Sequence, residues 1–331
     1  MNISIIICTY NGASRLPAVL DRLALQIVSS EISWEIVIVD NNSCDRTPSI
    51  IHSYRQRPLF SERLRYRHEP RQGIAYARRC GVNAATGELL AFLDDDNLPQ
   101  ANWLQAVYDF GQQHPYAGAY GGQIIGLYEV EPPQNFTRIA CFLAIIDRGA
   151  RPFRYDRLKR WLFPAGAGIV IRRAAWRSVP SQPALTGVAG SNLNAKGEDI
   201  EMLSHIRKQG WQIWHSPTLQ IEHVIGRDRV SAPYLLKLFR GVGLSRYRTR
   251  SLQFRRWQLP GVVLAYGVKD LAKLCFYYMS HRRTLRSDLV AQCEITLLYN
   301  SLISPLFCLA KECQSIIGWL RASHHPRLDA P

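Results

Sequence analysis

The chain is predicted to form an α/β domain with a mainly parallel sheet and flanking helices, followed by a helical extension. In the first hundred residues, the apolar runs Ile3–Ile7, Glu35–Val39 and Leu89–Leu93 are separated by helical patterns near Ser14–Val28 and Arg71–Ala85. Strands that alternate with helices are typical of a parallel sheet covered on both faces. With 331 residues, of which 47% are hydrophobic, the chain can bury a core of this kind.

A polar cluster follows each of the three predicted strands. The clusters are Thr9-Tyr10-Asn11, Asp40-Asn41-Asn42 and Asp94-Asp95-Asp96. Ligands of parallel α/β sheets bind beyond the carboxyl ends of the strands. Each cluster alone is compatible with a plain loop, but three clusters facing one crevice are what a nucleotide site requires.

Three adjacent carboxylates, Asp94, Asp95 and Asp96, end the third predicted strand. Carboxylates so close together repel one another, and burial at a strand end increases the cost. A hard divalent cation, itself bound to phosphate, would offset that repulsion. The alternative is an acidic turn exposed to solvent.

The second half of the chain is less regular. Ile169–Ile171 predicts a short strand, residues 187–197 a loop, and Glu198 begins a helix that ends at Gly210. The tight backbone predicted at Gly121-Gly122 lies between these elements and the first half.

The net charge of +15 favours contact with anions such as nucleotides, acidic lipids or nucleic acid. Residues 227–257 contain nine Lys or Arg residues and one acid, Asp228, but no nucleic-acid recognition motif accompanies them. The helical segments Leu259–Ser280 and Leu289–Ala310 follow, and each carries polar or charged residues that a clean membrane span would lack. A basic stretch beside amphipathic helices fits either an anionic membrane surface or helices packed on the first domain.

The eight cysteines are scattered and form no C-x-x-C pair, which fits a reducing compartment. Ile3–Ile7 is too short for the apolar segment of a secretory signal and is expected to be the first strand. We therefore expect a cytoplasmic protein, peripheral on the inner face of the cytoplasmic membrane.

Five short motifs occur in a characteristic order along residues 1 to about 225. They are Thr9-Tyr10-Asn11, the segment 40–47 (Asp-Asn-Asn-Ser-Cys-Asp-Arg-Thr), Gly73-x-x-x-Ala77-Arg78, Asp94-Asp95-Asp96 and Gly197-Glu198-Asp199. The ordered set resembles the family 2 glycosyltransferases with the GT-A fold, whose motifs include D-[ND]-x-S-x-D-x-T and the acidic D-x-D. Arg79 departs from the pattern, because the family often has Asn there.

The resemblance implies a nucleotide-sugar donor, with the carboxylate of Asp40 accepting a hydrogen bond from uracil and Arg78 facing the diphosphate. It implies further donor contacts from Thr9, Tyr10, Asn11, Asn42, Asp94 and Asp95. The alternatives are an Asx-turn or helix cap for Asp40, a solvated helix face for Arg78 and a rim aromatic for Tyr10. Asp45 is expected to cap the helix that starts near Thr47-Pro48.

The resemblance also implies a bound Mg²⁺ or Mn²⁺ that stabilises charge on the leaving nucleoside diphosphate. Asp94 and Asp96 point the same way on an extended chain, and Asp96 is expected to ligate the ion directly. Asp94 would act through water or the ribose. His223 would complete the metal or diphosphate site, although a lone histidine is more often structural.

By the same resemblance, Asp199 is the general base that deprotonates the acceptor hydroxyl in a single, inverting displacement. Glu198 would orient the base or the acceptor. The alternative is that Glu198, Asp199 and Glu201 only favour the positive end of their helix.

Gln253, Arg256 and Trp257 match Q-x-x-R-W, a motif of processive members of the family that contacts the acceptor end or the diphosphate. On a helix these three residues would share one face. The alternative is coincidence within a basic, aromatic stretch.

The resemblance therefore implies a hexosyltransferase that moves a sugar, from a donor that we expect to be UDP-linked, to a saccharide or lipid-linked hydroxyl in polysaccharide or glycoconjugate assembly. The expected organisation is a catalytic domain at 1–225, a basic helical extension at 226–320 and a polar tail at 321–331. A nucleotidyltransferase or a non-catalytic basic protein that binds nucleic acid or membrane remains as an alternative, but no nucleic-acid partner is expected.

Overall fold

The computed structural model describes residues 1–155, 162–182, 185–187 and 197–323, with side chains through residue 310. Nine strands of these residues form one sheet, with the spatial order β3-β2-β1-β4-β8-β6-β9-β5 and with β7 also paired to β9. The strands are β1 (Ile3–Thr9), β2 (Trp34–Asp40), β3 (Leu64–His68), β4 (Leu89–Asp94), β5 (Asn97–Pro99), β6 (Ala117–Tyr128), β7 (Phe153–Arg154), β8 (Val170–Arg172) and β9 (Gln212–Ile225).

Helices cover both faces of the sheet and form the C-terminal part of the described chain. They are α1 (Leu16–Ala24), α2 (Thr47–Arg55), α3 (Pro58–Ser61), α4 (Ile74–Ala84), α5 (Trp103–Gln113), α6 (Arg173–Trp176), α7 (Glu198–Lys208), α8 (Ala232–Ser251), α9 (Leu259–His281) and α10 (Leu289–Ser323). Short 3₁₀ turns lie at Phe136–Arg138, Ala140–Leu143, Arg227–Val230 and Arg256–Gln258.

The first half of the sheet is parallel, as predicted. β1 pairs in parallel with both β2 and β4, and β2 pairs in parallel with β3. All seven residues of β1 are buried, and alternate residues enter different cores, with Ile5 and Ile7 on one face and Ile6 on the other. A strand buried on both faces reads as a continuous apolar run, which is why the sequence predicted it.

The second half of the sheet is mixed. β8 is antiparallel to β4 and β6, while β6 is parallel to β9. The glycine pair predicted to mark tight backbone lies at a register shift between β6 and β9. A Cβ at Gly122 would lie 1.7 Å from the carbonyl oxygen of Leu219, so a side chain cannot be accommodated there.

Some predicted boundaries shift in the structure. α1 is shorter than Ser14–Val28 because Pro17 sets its first turn and its apolar face ends at Leu23. β3 was not predicted, because arginines alternate with Leu64 and Tyr66 along it and leave no apolar run. The predicted loop at 187–197 lies mostly outside the described residues, while the helix from Glu198 is confirmed.

The helices α8 and α10 pack together and share a core with the turn at residues 136–143. Leu235, Phe239 and Val290 are among the buried side chains of this core, together with Ile225 at the end of β9. Among the described helices, one segment, Leu289–Ala310, has the length and apolar composition to cross a membrane, and 33% of its tested window is buried.

Polar side chains on α10 hydrogen-bond to α8. The Ser304 hydroxyl donates to the Leu244 carbonyl at 2.6 Å and accepts from the Tyr247 N–H at 2.9 Å. Ser301 accepts a hydrogen bond from Arg246 at 3.3 Å. These contacts place Ser301 and Ser304 of α10 against α8, as in the alternative in which these helices pack on the protein.

Glu35 on β2 ties the beginnings of three strands together. Its buried carboxylate accepts hydrogen bonds from the Ser4 hydroxyl at 2.7 Å and from the Thr86 N–H and hydroxyl at 2.6 and 2.7 Å, and it pairs with Arg65 at 3.1 Å. Burial raises the pKa of a carboxyl, but the hydrogen bonds from Thr86 and Ser4 and the charge of Arg65 outweigh it and hold the pKa of Glu35 below its ordinary value.

We predict that Glu35→Gln destabilises the protein by about 1–3 kcal/mol at pH 7, because charge-assisted hydrogen bonds are lost. A lowered folded-state pKa stabilises the fold above the unfolded-state pKa, and that stability is lost as the pH falls through the folded-state value. The difference between wild type and variant should therefore shrink below about pH 4.5. Urea unfolding at pH 7 and pH 4 measures it, and a difference that grows in acid would contradict the assignment.

Candidate active site

A cleft of about 1020 Å³ opens at the carboxyl ends of β1, β2 and β4. One wall consists of residues from these strand ends and from α4, and the facing wall is formed by α8 and α9. The sequence-predicted residues that line it are Thr9, Tyr10, Arg78, Asp94, Asp95, Asp96, Glu198, Asp199, His223 and Gln253. The volume of the cleft lies at the upper end of the range that is usual for ligand pockets.

The loops after β1 and β2 are joined by hydrogen bonds. The Asn11 side-chain oxygen accepts from the Cys44 N–H at 2.9 Å, and the Asn11 N–H donates to the Ser43 hydroxyl at 2.9 Å. Asn11 and Asn42 both have positive φ, which asparagine tolerates better than most residues. Asn11 and Asn42 are not among the residues that line the cleft, and the contacts of Asn11 brace the loop that presents Tyr10.

Asp40 lies behind this loop. Its carboxylate is buried, accepts from the Ser43 N–H at 2.9 Å and accepts from the Tyr66 hydroxyl at 3.1 Å. Burial, together with the charge of Asp40, raises the pKa of Tyr66 to about 12. The bond to Ser43 is the turn contact that was the alternative for Asp40, and the cleft lining includes its neighbour Asn41 instead. A contact from Asp40 to uracil remains a prediction.

Asp45 accepts a hydrogen bond from the N–H of Thr47, the first residue of α2, at 3.0 Å. It also accepts from the Thr47 hydroxyl at 2.5 Å. The N-cap position of α2 is Arg46 and has no side-chain capping bond, so Asp45 contacts the first residue of the helix from one position before the cap that it was expected to form.

Asp95 is neutralised by a residue that the sequence analysis did not single out. Arg15 donates to both carboxylate oxygens of Asp95 at 2.9 Å, and the Thr9 hydroxyl donates at 2.6 Å. This paired geometry is typical of strong arginine–carboxylate contacts. Asp95 therefore joins β4 to the start of α1.

Asp96 lies beside His223 and Arg229. Arg229 Nη1 is 2.6 Å from Asp96 Oδ2 and 3.1 Å from His223 Nε2, while His223 Nε2 is 3.4 Å from Asp96 Oδ2. Burial opposes ionisation of Asp96, but His223 and Arg229 outweigh it and hold its pKa below the ordinary value. A guanidinium thus supplies the positive charge at this carboxylate.

Arg78 is buried at the centre of the acidic groups. It forms an ion pair with Asp199, and its Nη1 lies 3.9 Å from Glu198. Burial disfavours the charged guanidinium, but Asp199, Asp94 and Glu198 outweigh this and raise the pKa of Arg78 above its ordinary value. The solvated helix face considered for Arg78 is therefore wrong.

Asp94 is the last residue of β4. Unlike Asp95 and Asp96, it has no direct ion pair among the described residues. Its N–H donates to the Asn97 side chain at 3.0 Å. Burial and the neighbouring charges of Asp96 and Asp199 raise the pKa of Asp94 to about 6, although Arg78 opposes the shift.

The start of α7 brings Glu198 and Asp199 to the cleft. Gly197 precedes them with φ of 114°, a conformation that glycine adopts without a steric penalty. Asp199 lies over Gly166, where a Cβ would be 2.2 Å from Asp199 Oδ2. Glu201, in the same turn, accepts from the Leu185 N–H at 2.8 Å and is buried.

The Q-x-x-R-W match does not form a single helix face. α8 ends at Ser251, and Arg256 and Trp257 belong to a separate 3₁₀ turn, so the shared face expected for a helix is wrong. Gln253 lines the cleft, whereas Trp257 is 75% exposed and outside it. The chain turns after α8, which separates the residues of the motif.

Side chains that can bind a divalent cation are present in the cleft, but they do not surround a common point. The described residues contain no cluster of three His, Cys, Asp or Glu side chains arranged around one ion. His223 Nδ1 is buried without a hydrogen-bond partner among them, and Arg229 lies between His223 and Asp96. Carboxylate and imidazole ligands suit Mn²⁺, and carboxylates suit Mg²⁺, so the donor set fits if Arg229 moves.

Comparison with known families identifies the class of protein. Residues 4–177 match the family model described as Glycosyl transferase family 2. The match spans more than half of the chain, which belongs to this family and is a glycosyltransferase. This result selects one of the classes that the sequence had left open and sets aside the nucleotidyltransferase and the non-catalytic binding protein.

Two curated relatives illustrate the similarity. A PGL/p-HBAD biosynthesis glycosyltransferase of Mycobacterium bovis is 35% identical over 177 residues, which cover 48% of this chain and 67% of the relative. Validoxylamine A glucosyltransferase of Streptomyces hygroscopicus is 37% identical over 109 residues, or 32% of this chain and 24% of the relative.

Solved GT-A glycosyltransferases confirm the fold. S. aureus TarS, residues 1–349, in complex with UDP-GlcNAc has a TM-score of 0.52 at 15% identity, with 92% of both chains covered. GalNAc-T7 with UDP, GalNAc and Mn²⁺ has a TM-score of 0.52 at 15% identity, covering 77% of this chain and 52% of the other. At this identity the likeness concerns the fold alone.

We predict that Arg78→Met destabilises the protein by about 3–5 kcal/mol, since its removal leaves buried carboxylates without their cation. The control is Arg79→Met, one position along α4, whose guanidinium bonds the Pro180 carbonyl. Because no ion pair is seen for Arg79 among the described residues, the control should lose less, about 1–2 kcal/mol. Chemical denaturation of both variants measures this, and equal losses would show that Arg78 does not compensate the acids.

Proposed function

We propose that this glycosyltransferase transfers a sugar from a UDP-linked donor to a hydroxyl of a saccharide or lipid-linked acceptor, with inversion at the anomeric carbon. The observation that supports it most is the cleft in which the acids that end β4 face the Arg78–Asp199 pair across one space. This is the arrangement needed to hold a charged leaving group beside a base.

The donor is proposed to lie against the ends of β1, β2 and β4. Thr9, Tyr10 and Asn41 line this part of the cleft. The TarS structures contain UDP and UDP-GlcNAc, and the GalNAc-T7 structure contains UDP, which supports a uridine nucleotide for this fold. Arg78 and Arg15 add positive charge beside the position proposed for the diphosphate.

Mg²⁺ or Mn²⁺ is proposed to bind Asp96, Asp94 and His223. When bound, the cation would stabilise negative charge on the departing nucleoside diphosphate. Arg229 would leave Asp96 and His223 as it binds. The ion named in the GalNAc-T7 structure, Mn²⁺, supports this choice of cofactor.

Asp199 is proposed to take the proton from the attacking hydroxyl. Arg78 fixes the position of its carboxylate through their ion pair, and Gly166 leaves room for it. Glu198, which also faces Arg78, would orient the base or the acceptor. One displacement at the anomeric carbon inverts its configuration.

Polysaccharide or glycoconjugate assembly at the inner face of the cytoplasmic membrane is the proposed setting. Relatives named for PGL/p-HBAD biosynthesis and succinoglycan biosynthesis support this role. We propose residues 1–225 as the catalytic domain, with 226–320 as its accessory extension and 321–331 as a polar tail.

We predict that UDP binds with Mn²⁺ present and that Asp96→Ala weakens metal-dependent binding about tenfold or more, because a metal ligand is lost. Isothermal titration calorimetry with and without Mn²⁺ measures this.

Asp199→Asn should bind UDP like wild type while turnover falls about 100-fold or more. Asp21→Ala, at an exposed carboxylate paired with Arg57, is the control and should match wild type throughout.

Two results would contradict the proposal. Equal Mn²⁺ dependence in Asp96→Ala and Asp21→Ala would remove Asp96 from the metal site. Retention of anomeric configuration, read by NMR of the first product formed, would exclude a single displacement.

The outward face of α9 is proposed to rest on an anionic membrane. Leu264, Val268, Leu271 and Met279 recur at helical spacing, and each is more than half exposed. Exposed arginines flank this face at both ends of the helix, at positions 255, 256, 282, 283 and 286. An apolar stripe bordered by cations is suited to the interface of an anionic bilayer.

We predict that the protein floats with phosphatidylglycerol-containing vesicles and that replacing these four α9 residues with serine abolishes flotation, because the apolar contact is lost. The control replaces Leu25, Ile27 and Tyr116, which are similarly exposed elsewhere, with serine. Equal flotation of both variants would overturn the assignment. Self-association of wild type that the α9 variant loses, without any flotation, would instead assign the face to protein contacts.

A further inference from the structure

The cleft wall formed by α8 and α9 is strongly cationic. Arg246 and Arg250 on α8 and Lys269 and Lys273 on α9 all line it. Asp270 is the acid that these two helices add to the described lining. The positive charge on this wall therefore exceeds what its own carboxylate can balance.

The internal pairing accounts for one of the four cations. Asp270 is buried and accepts from Arg250 at 2.5 and 3.1 Å. Arg246 contacts the neutral Ser301 hydroxyl at 3.3 Å. Among the described residues, no ion pair is seen for Arg246, Lys269 or Lys273.

Arg246 shows the cost of this arrangement. Burial, and the like charge of Arg250, lower its pKa to about 10. The charge of Asp270 opposes this shift but does not outweigh it, and a partly buried guanidinium that is not fully compensated is unfavourable unless another anion binds. The wall is thus poised for an anion that comes from outside the chain.

The position of the wall indicates a role in binding the acceptor. A Cβ at Gly197 would be 2.6 Å from Thr249 Cγ2 and 4.0 Å from Ser245 Oγ, so α8 packs directly on the start of α7. Arg246 and Arg250 on this helix line the same cleft as Glu198 and Asp199. The strand-end side of the cleft, by contrast, has its own arginines for the donor.

We propose that Arg246, Lys269 and Lys273 form a subsite for a phosphate group carried by the acceptor. This inference rests on the proposed function and adds the chemical class of acceptor, a phosphorylated or diphosphate-linked saccharide. A guanidinium matches phosphate oxygens in two-point contacts, and lysines add mobile point charges. Lys269 and Lys273 lie on a different side of α9 from Leu264 and Val268 and line the cleft.

The first experiment uses inorganic phosphate as the probe and the full chain saturated with UDP and Mg²⁺. Line broadening of the inorganic phosphate signal in ³¹P NMR measures its binding. We expect Lys269→Gln/Lys273→Gln to weaken phosphate binding about fivefold or more, while UDP affinity stays within about twofold. Arg246→Gln should act in the same direction.

Lys237→Gln/Arg240→Gln is the matched control, because it removes two exposed cations from α8 that do not line the cleft. This control should bind phosphate like wild type. Circular dichroism of each variant checks that it is folded, and the Lys269/Lys273 variant changes exposed side chains that carry no packing in the core.

Two outcomes would overturn the proposal. Equal phosphate binding by the Lys269/Lys273 variant and the control would show a nonspecific charge effect. A parallel loss of UDP affinity would assign the wall to the donor diphosphate. If wild type binds no UDP, the proposed function fails, and phosphate titration of the protein alone, with the same variants, still decides whether the wall binds phosphate.

Discussion

Neutralisation of the carboxylates at the end of β4 is the constraint on which the cleft depends. Asp94, Asp95 and Asp96 are brought out of water beside one another, and carboxylates in that position need cations close by. Three arginines from separate parts of the chain meet this need, Arg15 beside α1, Arg78 on α4 and Arg229 after β9. The same charges that allow the site to form therefore hold α1, α4 and the segment after β9 around it.

The three acids differ in how far their charge is already balanced. Asp95 has both oxygens engaged by Arg15 and a further bond from Thr9, so it works as a brace between β1, α1 and β4. Asp96 shares Arg229 with His223, a contact that a divalent cation would have to compete with. Identical residues in one motif thus acquire different roles from the partners that the fold brings to them.

The helix α9 joins the cleft to the outer surface. Residues three or four positions apart lie on one side of a helix, so the face with Lys269 and Lys273 is separate from the face with Leu264 and Val268. Side chains on one face of α9 line the cleft, while side chains on the opposite face are exposed at the molecular surface. The helix therefore lies between the cleft and the exposed apolar surface of the molecule.

The sequence alone predicted β1, β2 and β4 of the parallel half of the sheet, but not β3, together with the positions of the acidic and polar motifs. Buried strands such as Ile3–Ile7 and Leu89–Leu93 are continuous apolar runs, and parallel strands place their polar ends at one edge. Local patterns do not report partners distant in the chain, so the pairs Arg15–Asp95 and Arg229–Asp96 had to come from the tertiary structure. Among the antiparallel strands, β8 was predicted near Ile169–Ile171 without its direction, whereas β5 and β7 were missed, because short strands held by long-range pairing carry little periodicity of their own. Sequence determined which chemical groups were available, and tertiary packing decided which of them met, since charge compensation acts through space.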